Sequence, residues 1–221
     1  MPAASPAARS SGRSYDLIDR LIAPLDQALR TLSGNQHSNR PYPPQDIADT
    51  VAESERRRVA ALMRVNHAGE VAAQALYQGQ ALVARNEHTR AAMLDAGREE
   101  ADHLAWCTQR LHELGGRTSR LDPLWYAGSF AIGALAGLAG DRVSRGFVAE
   151  TEHQVVAHLE GHLRQLPGND ARTEAILHQM SEDEERHGRN AKLAGGSEMP
   201  SYVRRAMRLV ARVMTTLAYR I

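Results

Sequence analysis

The chain reads as a series of helical periods separated by polar breaks. Apolar residues at Leu17, Ile18, Leu21, Ile22, Leu25 and Leu29 recur at three- and four-residue spacing, which predicts an amphipathic helix from Tyr15 to Leu32. A polar, proline-rich linker follows from Ser33 to Gln45. From Ile47 to Ala84 the period is again helical, and Val59, Leu62, Met63, Asn66, Glu70, Ala73 and Tyr77 share one broad face. Glu70 thus lies among apolar residues, where an unpaired carboxylate is costly. Thr89 to Leu114 predicts the next helix, with Gly115-Gly116 as its stop. Ser144 to Leu166 and Asp170 to Leu193 predict two more, the second closed by Gly195-Gly196. A last helix, Ser201 to Tyr219, carries Arg204, Arg205, Arg208 and Arg212 beside Val203, Met207, Val210, Met214 and Leu217. No strand-like alternation interrupts these periods.

One stretch departs from the amphipathic rule. Pro123 to Gly140 contains no charged residue. As a helix it would be roughly 27 Å long, marginal for a bilayer, and its glycines and alanines make it weakly hydrophobic. It admits three readings: a helix buried against the bundle or a second subunit, an interfacial helix in one leaflet with Trp125 and Tyr126 at its edge, or a full span. The arginines of the last helix add a second feature suited to anionic headgroups.

The chemistry lies in two copies of Glu-x-x-His, Glu100–His103 and Glu184–His187. On a helix, residues three apart share a face, so each copy points a carboxylate and an imidazole at one spot. Such a pair suits iron, manganese or zinc. One copy alone is weak evidence, but each has a matching glutamate. Glu70 and Glu100 are equidistant from the polar break at Asn86-Glu87-His88-Thr89, and Glu152 and Glu184 from the turn signal Pro167-Gly168-Asn169-Asp170. In antiparallel hairpins, Glu70 should face Glu100 and Glu152 should face Glu184. Two hairpins that each deliver Glu plus Glu-x-x-His form a di-metal carboxylate bundle. The expected fold is therefore all-α: a ferritin-like four-helix bundle with an apolar crossover helix and extra terminal helices. Four carboxylates could not stay ionised together in a dry core, and two Fe(II) ions would neutralise them. Glu99, Asp102, Glu182, Asp183 and Glu185 are expected on the solvated surface. His67 is a candidate for a supporting role beside Glu70, and His158 for lining the site. His112, His162 and His178 are expected at the surface or in the core, and His153 away from the site.

Composition narrows the function classes. The 221 residues suffice for one well-cored domain, and the formal net charge of +1 argues against a nucleic-acid binder. The lone Cys107 excludes an internal disulfide and a cysteine-based metal site. No secretory signal is expected. The acid-free, Ser/Ala/Arg-rich residues 1–14 read as disordered and fit either a bacterial N-terminus or a mitochondrial transit peptide. Residues 1–50 are thus an N-terminal extension, partly disordered, and 51–221 the bundle domain.

The segments Arg64-Val-Asn-His-Ala-Gly-Glu70, Glu99-Glu-Ala-Asp-His-Leu-Ala-Trp106, Val148-Ala-Glu-Thr-Glu152 and Glu182-Asp-Glu-Glu-Arg-His187 resemble the demethoxyubiquinone hydroxylases of ubiquinone biosynthesis. The resemblance runs from about Glu55 to the C-terminus. It implies a membrane-associated, O2-dependent di-iron monooxygenase that hydroxylates the ring of a polyprenyl demethoxyquinone. Carried over by motif, it implies that Glu70 and His103 bind one iron, Glu152 and His187 the other, and that Glu100 and Glu184 bridge. The implied location is the cytoplasmic side of a bacterial cell membrane, with the mitochondrial inner membrane as the alternative. No Gly-rich dinucleotide fingerprint is present, so the reductant is external, NADH or a partner protein. Two other readings share parts of the pattern: a rubrerythrin-like peroxidase or iron-storage bundle, and a non-enzymatic membrane scaffold. The sequence leaves the oligomeric state open.

Overall fold

The computed structural model describes residues 17–34 and 37–221. The disorder expected of residues 1–14 lies outside the described residues. Among those described, seven helices and no strand are present: α1 (Leu17–Ser33), α2 (Glu53–Val83), α3 (Glu87–Glu113), α4 (Asp122–Leu138), α5 (Asp141–Leu163), α6 (Ala171–Leu193) and α7 (Ser201–Arg220). The fold is all-α, as the periodicity predicts. Helices α2 and α3 form one hairpin and α5 and α6 the other, and together they make the bundle.

Local chemistry sets the helix ends. Asn86 caps α3 by accepting from the His88 amide at 2.8 Å. Asp170 caps α6 by accepting from the Thr173 amide at 3.1 Å, and the same oxygen accepts from the buried Arg110 at 2.9 Å. Gly115 and Gly195 end α3 and α6 with φ of 68° and 87°, the left-handed conformation that glycine adopts without steric cost. Helix α2 begins later than its periodicity suggests because residues 47–52 form a strap with other partners. The Ile47 carbonyl accepts from Arg172, Asp49 pairs with Arg110 and Arg56 at 3.2 Å each, and the Thr50 hydroxyl donates to the Asn169 carbonyl at 2.6 Å. These contacts tie the strap to the turn between α5 and α6, which no helical period could reveal.

Two apolar clusters fill the bundle along its axis. Val59, Met63, Trp106, Leu111, Leu159, Ile176, Leu177 and Met180 fill one end; Tyr77, Ala81, Met93, Val148, Ala149 and Ala191 fill the other. The residues between them in α2, α3, α5 and α6 include the glutamates and histidines of the predicted site.

Helix α4 makes the crossover between the two hairpins and lies against α2. The contact is a seam of small residues. A Cβ at Gly79 would collide with the Phe130 carbonyl, one at Gly133 with the Leu76 carbonyl, and one at Gly137 with the Val83 side chain. The opposite face of α4 exposes Leu124, Leu135 and Leu138. Within this chain the apolar stretch is therefore only partly buried. Among the described residues, no helix is long and apolar enough to cross a membrane. Helix α7 packs on α2 and α5, buries only Ala218 fully, and exposes Tyr202, Leu209, Val210 and Val213 alongside its arginines.

Candidate metal centre and its cavity

All six sequence-predicted ligands are buried and converge between the two apolar clusters. Ligand atoms of Glu70, Glu100, His103 and Glu184 lie within 4.8 Å of one another, and so do those of Glu100, Glu152, Glu184 and His187. Glu100 and Glu184 belong to both groups. The histidines approach with Nδ1. That of His103 is 3.1 Å from Glu100, 3.2 Å from Glu184 and 3.6 Å from Glu70; that of His187 is 3.2 Å from Glu184 and 3.5 Å from Glu100.

The electrostatics are those of a centre that needs positive charge. Burial raises the pKa of Glu70 and Glu152 well above the carboxylate range, and the charges of Glu100 and Glu184 push in the same direction. Burial also works against ionised Glu100, but the neighbouring imidazoles of His103 and His187 outweigh it and hold that carboxyl below its ordinary value. Glu70 Oε2 and Glu100 Oε1 are buried without a hydrogen-bond partner. Four carboxylates, two imidazoles and unpartnered buried oxygens form a donor set that can hold metal.

Three supporting residues were not foreseen in these roles. Asp183, expected on the surface, is fully buried, and its Oδ2 lies 3.0 Å from His103 Nε2. Asp102, expected there too, is buried and accepts from the Asn39 amide at 2.6 Å and from Arg40 Nε at 2.9 Å. Arg186 reaches Asp183 from one turn away on the same helix, but Arg40, which pairs with both acids, comes from the linker, and no local pattern announces that contact. Tyr77, whose hydroxyl donates to Glu152, is the third. Its place on the face of Glu70, seven residues on, is the signal that could have found it. Glu182 and Glu185 are exposed as expected, and Glu99 is half-buried.

His67 is buried but turns from the carboxylates, with Nδ1 3.4 Å from Asp122 on α4, so it does not support Glu70. His112, His153 and His178 are exposed. His158 does line the cavity beside the site, and its ring lies 4.0 Å from that of buried His162, whose Nδ1 is 2.8 Å from Asn66 Oδ1. Burial lowers the pKa of His158 to about 4 and of His162 to about 3. An unfolded imidazole titrates near 6.5, so between these values the unfolded chain binds more protons than the folded one. The contribution of this histidine pair to stability is thus greatest above about pH 6.5 and is lost on acidification. We expect His162→Gln to blunt that loss, by on the order of 1–2 kcal/mol at pH 5. Urea titrations of both proteins at pH 7.5 and pH 5 measure it; parallel losses would assign the acid lability elsewhere.

A cavity of about 370 Å³ leads from the centre to the surface. Its inner end is formed by Glu70, Glu152 and Glu184. Its walls are largely apolar, with Ala73 and Leu76 from α2, Phe147 and Val155 from α5, and Met207 and Met214 from α7. Ile132 of α4 and Val210 of α7 are partly exposed at its rim.

The sequence that builds this site has known relatives. The family model described as Ubiquinone biosynthesis protein COQ7 matches residues 57–218. The chain belongs to this family. Its relatives include proteins named 3-demethoxyubiquinol 3-hydroxylase. The one from Ralstonia pickettii (strain 12J) is 55% identical over 217 residues, covering 93% of this chain and 100% of the relative. The one from Cupriavidus pinatubonensis is 58% identical over 207 residues, covering 92% and 100%. The one from Legionella pneumophila (strain Lens) is 53% identical over 210 residues, covering 94% and 99%. The match contains all six converging residues, the whole of α4, and α7 as far as residue 218.

Proposed function

We propose that the protein is a 3-demethoxyubiquinol 3-hydroxylase: an O2-dependent monooxygenase with two irons per chain, acting on a polyprenyl quinol at a membrane surface. The observation that carries this reading is the apolar cavity with the carboxylate–histidine cluster at its inner end and exposed apolar side chains at its rim. A storage or peroxidase bundle has no use for such a route, and a scaffold has no use for buried acids.

In this reading Glu70 and His103 hold one metal, Glu152 and His187 the other, and Glu100 and Glu184 are shared. Iron, when bound, supplies the activation of O2. The residues of the chain do the rest. The apolar walls exclude water and align the quinol head, while the prenyl tail trails past Ile132 and Val210 to the lipid. Tyr77 holds Glu152 by its hydroxyl. The net change replaces a ring C–H with C–OH; O2, two electrons and two protons yield the new hydroxyl and one water. An external reductant supplies the electrons, reduced nicotinamide or a partner protein. The exposed apolar residues of α4 and α7 support a peripheral position on a membrane. The relatives named are bacterial, which supports a bacterial membrane in this reading, with the protein on its cytoplasmic side.

The expected result with 18O2 is one labelled atom in the new hydroxyl of the quinol product, from protein that contains two irons per chain. Label arriving from H2(18)O would replace oxygenation with hydration as the reaction.

A further inference from the structure

The two histidines of the centre are backed unequally. The outer nitrogen of His103 meets Asp183 at 3.0 Å, and Asp183 is fully buried. The outer nitrogen of His187 faces Glu99 at 3.3 Å, without a well-formed hydrogen bond, and that glutamate side chain is 37% exposed. Arg186 links the two carboxylates, with Nη1 2.7 Å from Asp183 Oδ1 and Nη2 on Glu99. What distinguishes the His103 side is a second guanidinium. Arg40 comes from the proline-rich linker, ahead of the family-matched span. Its Nη1 lies 2.8 Å from the same Asp183 oxygen that meets His103.

Arg40 is itself fixed from three directions. Its Nε donates to Asp102 at 2.9 Å. Asp102 also accepts from the Ser38 hydroxyl at 3.1 Å and the Asn39 amide at 2.6 Å, so this one acid pins the whole turn. The Arg40 guanidinium then stacks on Trp106, 4.6 Å from the ring centroid; the same indole donates to the Ser38 hydroxyl at 3.1 Å and lies 5.4 Å from the His103 ring. The linker therefore reaches the His103 ring by two routes, through Asp183 and through Trp106.

We propose that Arg40 is a positioning residue that, through Asp183, fixes His103 so that the Glu70/His103 half of the centre binds metal ahead of the Glu152/His187 half. A carboxylate on the outer nitrogen of a ligating histidine fixes ring orientation and tautomer and raises its basicity. A cation on that carboxylate holds it in place. The Glu152/His187 half has no equivalent brace: Glu99 is partly exposed, and of the two guanidinium groups only Arg186 reaches it. This inference rests on the reading of the cluster as a two-metal site.

The test is an anaerobic Fe(II) titration of the metal-free full-length chain, followed by calorimetry and by the ligand-field circular dichroism of each bound ion. The expected wild-type result is two resolved steps. Arg40→Ala weakens the tighter step by about tenfold and leaves the weaker within twofold, since outer partners of metal ligands typically govern affinity by 10–100-fold. Glu99→Gln acts on the weaker step instead. Arg40→Lys keeps the cation and its packing on Trp106 but cannot bridge Asp102 and Asp183. It shows the same one-step loss in a smaller degree and serves where the alanine variant is poorly folded. A wild-type chain that binds fewer than two metals overturns the two-metal reading itself. Two wild-type metals in one unresolved step, or Arg40 variants that leave both steps unchanged or weaken both equally, overturn the role of Arg40 and leave the two-metal reading standing.

Discussion

Glu184→Ala is expected to abolish hydroxylation and strip metal from both halves of the centre, while Glu185→Ala behaves like the wild type. Glu184 lies in both ligand groups and within 3.2 Å of Nδ1 of each histidine. Its removal leaves Glu100 as the only shared carboxylate and opens a hole at the inner end of the cavity. Loss of an outer-shell partner alone costs 10–100-fold in metal affinity, so loss of a shared ligand should cost roughly 100-fold or more. Glu185 is exposed and reaches only Arg189, at 3.4 Å. Iron content after anaerobic loading, with quinol turnover measured in parallel, reads both variants. Equal effects at the two positions would remove Glu184 from the centre.

Release from membranes is the second large effect, expected when Ile132, Leu135 and Leu138 are all replaced by aspartate. Leu135 and Leu138 are 66% and 55% exposed, and Ile132 is 37% exposed at the rim of the cavity. None belongs to the seam of α4 on α2, so the bundle should keep its helicity and melting temperature. Each side chain contributes about 1.5–3 kcal/mol when removed from water. Weighted by those exposures, the three together amount to roughly 2–5 kcal/mol, a fall in vesicle partitioning of about thirtyfold to a few thousandfold. Flotation with anionic vesicles is the measurement. A variant that still floats would assign membrane binding to another face. In the same proposal the arginines of α7 would add a separate, salt-sensitive contribution, so raised ionic strength should weaken the wild type partially rather than release it.

The helices and the convergence of Glu70, Glu100, His103, Glu152, Glu184 and His187 were legible because both follow from local rules. A hairpin brings residues equidistant from its turn to one level, and i, i+3 spacing sets the face. What the sequence hid depends on contacts between distant segments. Asp102 and Asp183 look like ordinary helix-surface acids until Arg40 crosses from the linker to neutralise them. The late start of α2 has the same origin, since Ile47 and Asp49 are claimed by Arg172 and Arg110 from other helices. His67 shared the register of Glu70, but the register could not reveal that α4 would present Asp122 to it. For the apolar stretch, composition alone could not choose between burial and exposure, because α4 uses its glycines on one face and its leucines on the other.

The glycine seam also decides which side of the cavity is able to yield. At Gly79 and Gly133 the backbones of α2 and α4 are as close as side-chain-free contact allows, so α4 is rigidly coupled to the helix that carries Glu70. Helix α7 opposes it across the opening with only Ala218 fully buried, and meets the cavity with flexible methionines at 207 and 214. Tails of different bulk would be accommodated by displacement of α7 alone. The register between the ring and the carboxylates would then stay constant while the passage for the chain widens, and tolerance of tail length would cost nothing in placement of the reacting carbon.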